Sequence, residues 1–271
     1  MIAKPDQLAV TVLTHRGAVR DHNEDAVTVG ALLAAGVNTP TPVTVLTSVE
    51  APVVVAVADG LGGHSAGEVA SRHVALRLSS VDLSGVDVAA IAELISALDA
   101  EITTLGTASR DLNGMGTTVA GLVLTPDDTI WFNVGDSRVF REDGGYLGQL
   151  SADDSPTGAR TDGEAVVTNV VTQTLGGGRQ PVRPHVGIDS AERSGRWLIC
   201  SDGLTDLVSL AEIEALLLKA DGDDSLAVRA LWAAAMNAGG HDNITIALVR
   251  RRPASAQPLI DAGGEPMDSD S

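Results

Sequence analysis

The sequence predicts an α+β fold in which β-sheets are sandwiched between helical layers. Strand-like apolar runs come in groups, and runs of helical periodicity come in pairs between those groups. That grouping favours the sandwich over a doubly wound parallel sheet, where strands and helices would alternate strictly. Several strands also end beside an aspartate. The run Val53-Val54-Val55-Ala56-Val57-Ala58 leads into Asp59-Gly60-Leu61-Gly62-Gly63-His64. It reads as a strand buried on both faces, with a carboxylate at its mouth and a glycine-rich turn beyond.

Taken in order, Leu8 to Thr14 alternates as a first strand. The stretch from Thr14 to Asp25 is turn-rich and dense in charge, and Ala26 to Val29 resumes as a strand. Ala31 to Pro52 reads as an irregular connection with a short strand at Val43–Val45, since Pro40 and Pro42 forbid a long helix. Apolar spacing predicts amphipathic helices over Ala66–Leu78 and Val88–Thr104. Asp111 to Gly116 reads as a loop. Strands follow at Thr117–Leu124 and Thr129–Val134. Arg138–Arg141 and Tyr146–Leu150 form a hairpin across Asp143-Gly144-Gly145. Ser151 to Thr168 is polar and reads as a loop. Trp197–Cys200 is a strand ending at Ser201-Asp202-Gly203. Ser209 and Glu212 form a capping box opening a helix that runs to about Ala220. A further helix spans Asp224–Ala238 and is closed by Gly239. A last strand, from Ile244, ends at Val249-Arg250. The expected division is a catalytic domain over residues 1–252 and a disordered acidic tail over 253–271.

The 271 residues carry a formal net charge of −18, with 44% hydrophobic and only 2% aromatic residues. Such a surface argues against nucleic acid or an anionic membrane as partner. It suits cation binding, although most of the acid is a solvating surface. Cys200 is the single cysteine, so no intramolecular disulfide forms and a reducing compartment is expected. Nothing near Met1 has the pattern of a signal peptide, and no run of about 18 apolar residues exists. A cytoplasmic protein is expected.

The acidic strand ends carry the chemistry. Asp59, Asp136 in Gly135-Asp136-Ser137, Asp202 and Asp242 in His241-Asp242-Asn243 each stand beside a strand, and Asn23-Glu24-Asp25 adds a further cluster. One aspartate beside a glycine is usually a turn. Several together describe a hard-cation site of oxygen ligands, because an isolated buried carboxylate is costly.

These stretches resemble the PPM family of metal-dependent serine/threonine protein phosphatases, the type 2C class, in its bacterial form. The resemblance rests on Arg20–Asp25, Val57–His64, Gly114-Met115-Gly116-Thr117-Thr118, Val134–Arg138, Cys200–Asp206 and Gly240–Asn243, in the family's order across nearly the whole domain. It implies a four-layer α-β-β-α sandwich with two central antiparallel sheets. It implies two Mn²⁺ or Mg²⁺ ions at one end, with a third in bacterial members. Asp59 resembles the carboxylate shared by both metals, with the Gly60 carbonyl on the first. Asp202 and Asp242 resemble ligands of the second, and Asp136 a ligand of the third. Asp25, with Glu24 beside it, resembles the acidic pair that supports the metals directly or through water. Arg20 matches the arginine that binds substrate phosphate. The implied reaction is hydrolysis of phosphoserine and phosphothreonine in proteins by metal-activated water, opposing a bacterial serine/threonine kinase. The charge logic agrees: divalent cations cancel the repulsion between a phosphate dianion and an attacking anion, and no covalent phosphoenzyme is needed.

Leu61 stands where animal members carry a general-acid histidine, so that role does not pass to His64. His64 and Asn243 are expected to support the ligands from behind, and His22 and His241 to do the same or face solvent. Cys200 is expected to be a buried strand residue. A cysteine-based phosphatase needs an arginine six positions on, where Asp206 stands. Only the 13 residues Pro156 to Thr168 fill the interval of the family's flap, which predicts an open cleft and weak discrimination among peptides. The alternative is a regulatory binding module of the same fold with little turnover. Retention of every matched aspartate favours the enzyme, acting as a monomer on phosphorylated proteins.

Overall fold

Strands outnumber helices among the described residues. In order they are β1 (Gln7–His15), β2 (Asp25–Val29), β3 (Leu32–Ala35), β4 (Val43–Ser48) and β5 (Val53–Leu61). Helices α1 (Ala66–Ser80) and α2 (Val88–Ala108) follow. Next come β6 (Gly116–Thr117), β7 (Val119–Leu124), β8 (Thr129–Val134), β9 (Arg138–Asp143), β10 (Tyr146–Gln149), β11 (His185–Ile188) and β12 (Gly195–Cys200). Helices α3 (Asp202–Thr205), α4 (Leu210–Lys219) and α5 (Asp224–Asn237) precede the last strand, β13 (Ile244–Arg252). The structure, a computed structural model, describes residues 5–39, 41–62, 66–154, 171–178, 180–190 and 194–254.

The strands form two antiparallel sheets. One has six strands in the order β10-β9-β12-β13-β1-β4; the other has seven, in the order β11-β8-β7-β5-β2-β3 with β6 on β5. Strand alternation divides the apolar side chains into three layers. Val55 and Val57 of β5 meet Val10 and Val12 of β1 and Trp197 and Ile199 of β12 between the sheets. Val54, Ala56 and Ala58 face outward onto Ala70 and Val74 of α1 and Ile95 and Leu98 of α2. Leu198 and Cys200 face the other way, onto Ile213 of α4 and Leu231 of α5. This is the expected four-layer sandwich. Among the described residues no helix is long and apolar enough to cross a membrane.

Local signals explain most boundaries. The Ser209 side chain accepts from the Glu212 amide as the capping box requires. Asp87 and Asp223 cap α2 and α5 in the same way. Gly144 and Gly145, at φ +58° and +90°, form the two-residue turn of the β9–β10 hairpin. The connection between Ala31 and Pro52 holds the strand expected at Val43–Val45, which runs on to Ser48 as β4, and is corrected by a second, unexpected strand, β3; each is an edge strand. The exposed start and weak alternation of Leu32–Ala35 hide β3 in the sequence. The loop expected over Asp111–Gly116 holds a 3₁₀ turn at Arg110–Leu112 and the start of β6. β11 has no counterpart in the sequence reading. The tail from Ser255 onward lies outside the described residues.

Candidate metal centre

The acidic residues converge because of strand parity. Val27 and Val29 of β2, and Val55 and Val57 of β5, point between the sheets. Two residues along from these stand Asp25 and Asp59, paired directly across the β2–β5 ladder. Both carboxylates therefore lie at the polar end of the layer between the sheets. Asp25 is fully buried and Asp59 is 8% exposed. The other sheet supplies the opposite wall. Ser201, following β12, donates from Oγ to Asp25 Oδ2 at 2.9 Å and accepts from the Thr245 amide of β13 at 3.0 Å. Asp202 opens α3, and Asp242 immediately precedes the Asn243–Ile244 entry into β13.

β5 does not stop at Asp59. It continues to Leu61, pairing Gly60 with Thr117 of β6. The Asp59 carbonyl accepts from the Thr118 amide at 2.9 Å and from Thr117 Oγ1 at 2.8 Å. The expected glycine turn directly after Asp59 is corrected accordingly. Gly60 is extended, and its missing side chain makes room for α1, since a Cβ there would lie 2.3 Å from the Gly67 carbonyl oxygen. Among the described glycines of this stretch, conformational freedom is used at Gly62, where φ is +119°.

A cleft of about 410 Å³ opens above these residues, lined among others by Arg20, Glu24, Asp59, Gly60, Asp202 and Asp242. Arg20 Nη2 donates to Asp242 Oδ2 at 2.6 Å, and the guanidinium is half exposed. The loop that carries Arg20 is held to β13 by Asn243. Its Oδ1 accepts from the Glu24 amide at 2.7 Å, and its Nδ2 donates to the carbonyls of Arg16 and His22 at 3.0 and 2.9 Å. Another cavity, of about 390 Å³, sits at the far ends of β12 and β13 beside Arg196 and Arg250 and contains none of these residues.

The centre is electrostatically loaded. Burial pushes the Asp25 carboxyl up to about 7, against the opposing hydrogen bonds of Thr245 and Ser201. Burial, then the charges of Asp136, Asp206 and Asp242, push Asp202 up to about 7. Asp59 is raised well above the carboxylate range by burial and by Asp25, Asp202, Asp242 and Asp136. Burial also raises Glu24 and Asp136, the latter with help from Asp206 and Asp153.

Asp25 Oδ1 and Asp202 Oδ1 are buried without a hydrogen-bond partner. Orphaned carboxylate oxygens in an all-oxygen cluster fit a hard divalent cation, which relieves both the desolvation and the mutual repulsion. Among the described residues no three carboxylates, imidazoles or thiolates already surround one point. Asp242, its side chain 37% exposed, is instead turned onto Arg20.

The structure thus brings Arg20, Glu24, Asp59, Gly60, Asp202, Asp242 and Asn243 to one cleft, with Asp25 beneath it and Asp136 beside Asp202. His22 lines the cleft and His241 is exposed. His64 and the short flap lie outside the described residues. Cys200 is fully buried, and burial pushes its thiol up to about 12, which excludes a thiolate nucleophile. Sequence reasoning missed the hydroxyl residues Ser201, Thr245, Thr117 and Thr118 and the acid Asp206. Adjacency to the aspartate motifs was the available signal.

A family model described as protein phosphatase 2C matches residues 44–238. A serine/threonine phosphatase of Listeria monocytogenes is 33% identical over 88% of this chain and 94% of its own length. The serine/threonine protein phosphatase PstP of Mycobacterium tuberculosis is 31% identical over 94% of this chain, which spans 48% of that longer protein. The crystal structure of the Mycobacterium tuberculosis enzyme superposes with a TM-score of 0.74 at 28% identity, covering 90% of this chain and 98% of that one. The catalytic domain of PstP in complex with two manganese ions superposes with a TM-score of 0.72 at 27% identity, covering 91% and 99%.

Proposed function

The chain belongs to the protein phosphatase 2C family, and we propose on that premise that it removes phosphate from phosphoserine and phosphothreonine in proteins with the aid of divalent cations held at the acidic cleft. As an enzyme it is a serine/threonine protein phosphatase. The observation that carries the site is the buried, directly opposed pair Asp25 and Asp59 beneath Asp202 and Asp242. Asp59, the Gly60 carbonyl, Asp202 and Asp242 would hold two Mn²⁺ or Mg²⁺ ions with Asp25 in support, and Asp136 would hold a third. When bound, such cations neutralise phosphoryl charge and lower the pKa of water so that hydroxide is available near neutral pH.

The chain's own residues do the rest. Arg20 stands at the cleft rim with a half-exposed fork, able to take two phosphoryl oxygens and hold the group over Asp59. Ser201 and Thr245 orient Asp25 from below. Thr117 and Thr118 pin the Asp59 backbone, so the central carboxylate is pre-positioned. Asn243 fixes the loop bearing Arg20 and Glu24. We place the enzyme in the cytoplasm as a monomer opposing a serine/threonine kinase. The reading draws support from the single, buried cysteine and the absence of any spanning helix among the described residues.

Phosphate release from a phosphothreonine peptide, with and without Mn²⁺ and beside an Asp59→Asn variant, tests the proposal. Metal-dependent turnover in the parent and its loss in the variant are expected. No turnover in the parent under any metal would leave a binding module instead.

A further inference from the structure

Asp154 is nine-tenths buried and none of the site assignments uses it. Its Oδ2 accepts from the Gly135 amide at 2.9 Å, while its own amide donates to the Gly135 carbonyl at 2.9 Å. One residue therefore clamps both backbone groups of Gly135, the residue directly before Asp136. Asp154 Oδ1 accepts from Gln173 Nε2 at 2.7 Å and is within 3.0 Å of His185 Nε2. Its carbonyl accepts from the Thr172 amide at 2.6 Å and from Thr172 Oγ1 at 2.9 Å. A buried carboxylate satisfied by this many donors is rigid.

The two preceding residues hold the same turn. Asn133 exchanges hydrogen bonds with the Ala152 backbone, donating to its carbonyl at 2.7 Å and accepting from its amide at 3.2 Å. Arg138 places Nε and Nη2 on Asp153 Oδ2 at 2.9 and 2.7 Å. Residues 152, 153 and 154 thus fasten residues 133, 138 and 135 in turn. Asp136 is the turn residue they leave free, and no other described residue hydrogen-bonds its carboxylate. Its charge acts on Asp202 and Asp59, and it lies among Asp206, Asp153 and Arg138. The clamp also reaches Asp59. Gly135, at φ +99°, is pressed on Thr118, where a Cβ would lie 2.6 Å from Thr118 Cγ2. Thr118 Oγ1 accepts from the Asp59 amide at 3.2 Å.

We propose that Asp154 is a positioning residue: by clamping Gly135 it aims the Asp136 carboxylate into the acidic centre. The role needs hydrogen bonds and not charge, because both Asp154 carboxylate oxygens are already engaged by Gly135, Gln173 and His185. It rests on the reading of Asp136 as a cation ligand given above.

The test is calorimetric titration of the chelator-treated full chain with Mn²⁺, for the parent and for Asp154→Asn, Asp154→Ala, Asp136→Ala and Asp154→Ala/Asp136→Ala. Asparagine keeps an acceptor for the Gly135 amide; its own amide meets His185, which can change tautomer, and Gln173, which can flip to present Oε1 by giving up the Arg183 amide, so Asp154→Asn should lose clearly less affinity than Asp154→Ala. Asp154→Ala should weaken the Asp136-dependent ion about tenfold, the loss expected when one buried polar partner is removed. In the Asp136→Ala background the same change should alter the remaining ions by less than about twofold, because additivity fails only where two residues act together. Equal losses for Asp154→Asn and Asp154→Ala would make the charge itself the agent and overturn the proposal, as would a full loss persisting without Asp136. Binding lost in Asp136→Ala but kept in Asp154→Ala overturns the proposal alone; binding unchanged in Asp136→Ala overturns the ligand assignment and the proposal with it. Asn133→Ala loosens the same turn through Ala152 and gives the same readout if Asp154→Ala does not fold.

Discussion

Asp25 and Asp59 face each other across the β2–β5 ladder, buried and on the same face. Like charges directly opposite in a sheet are destabilising, and burial makes the repulsion dearer. The pair is stable only with protons or cations between the carboxylates. Asp59→Asn should therefore raise the melting temperature in excess chelator while abolishing the further rise on adding Mn²⁺. Turnover should fall by at least ~10²-fold. Melting curves with and without metal check this; a variant less stable than the parent in chelator would show the opposed pair to be no liability.

The raised Asp25 and Asp202 carboxyls give a pH dependence of known sign. Both titrate near 7 in the folded chain and near 3.8 when unfolded. Between those values the folded state holds more protons, so stability contributed by the protonated groups is complete below about pH 4 and is lost as pH rises through 7. The chelated protein should melt progressively lower from pH 5 to pH 8, and saturating Mn²⁺ should offset the fall. Melting points rising with pH in chelator would contradict the assignment.

Arg20 shares Asp242 with no other cationic side chain among the described residues. Arg20→Ala should raise KM for a phosphopeptide about tenfold or more while kcat changes less, because the guanidinium contributes mainly phosphate binding. Arg20→Lys should recover only part of the loss, since an ammonium lacks the fork. Steady-state kinetics at fixed Mn²⁺ decides it.

Gly60 and Gly67 approach so closely that neither tolerates a side chain. Gly67→Ala should cost about 1–3 kcal/mol through overpacking and displace the Asp59–Gly60 backbone. Denaturant midpoint and metal affinity should fall together; a drop in stability with unchanged metal affinity would uncouple α1 from the site.

Cys200→Ala should retain turnover. The buried thiol takes no part in chemistry, and the small cavity should cost about 1 kcal/mol in stability. Loss of activity in a folded variant would reopen the cysteine.

The aspartate motifs were legible in the sequence because each sits beside a run that alternation and β-branching mark as a strand. Asp59, Asp202 and Asp242 needed no structure to be singled out, and the grouping of strands and helix pairs was enough to predict the layered class. Boundaries set by caps and turn glycines, such as Ser209 and Gly144-Gly145, were legible for the same reason: the signal is local. β3 was not, and β4 only at its start, because edge strands exposed on one side lose the apolar pattern.

Which residues meet was decided only by the tertiary structure. Nothing local to Asp25 says that it lies opposite Asp59, that Ser201 from the other sheet donates to it, or that Asp242 is held by Arg20 from 222 positions away. Those relations follow from sheet register and from how two sheets stack, which are long-range properties of the packed core. The same holds for Gly60, whose reason for lacking a side chain is α1 and not a turn. Asp154 is the clearest case. In sequence it is one acid among many in a chain of net charge −18. In the fold it is the residue on which the Gly135–Asp136 turn is hung, because burial leaves its carboxylate no partner but the backbone and side chains around it.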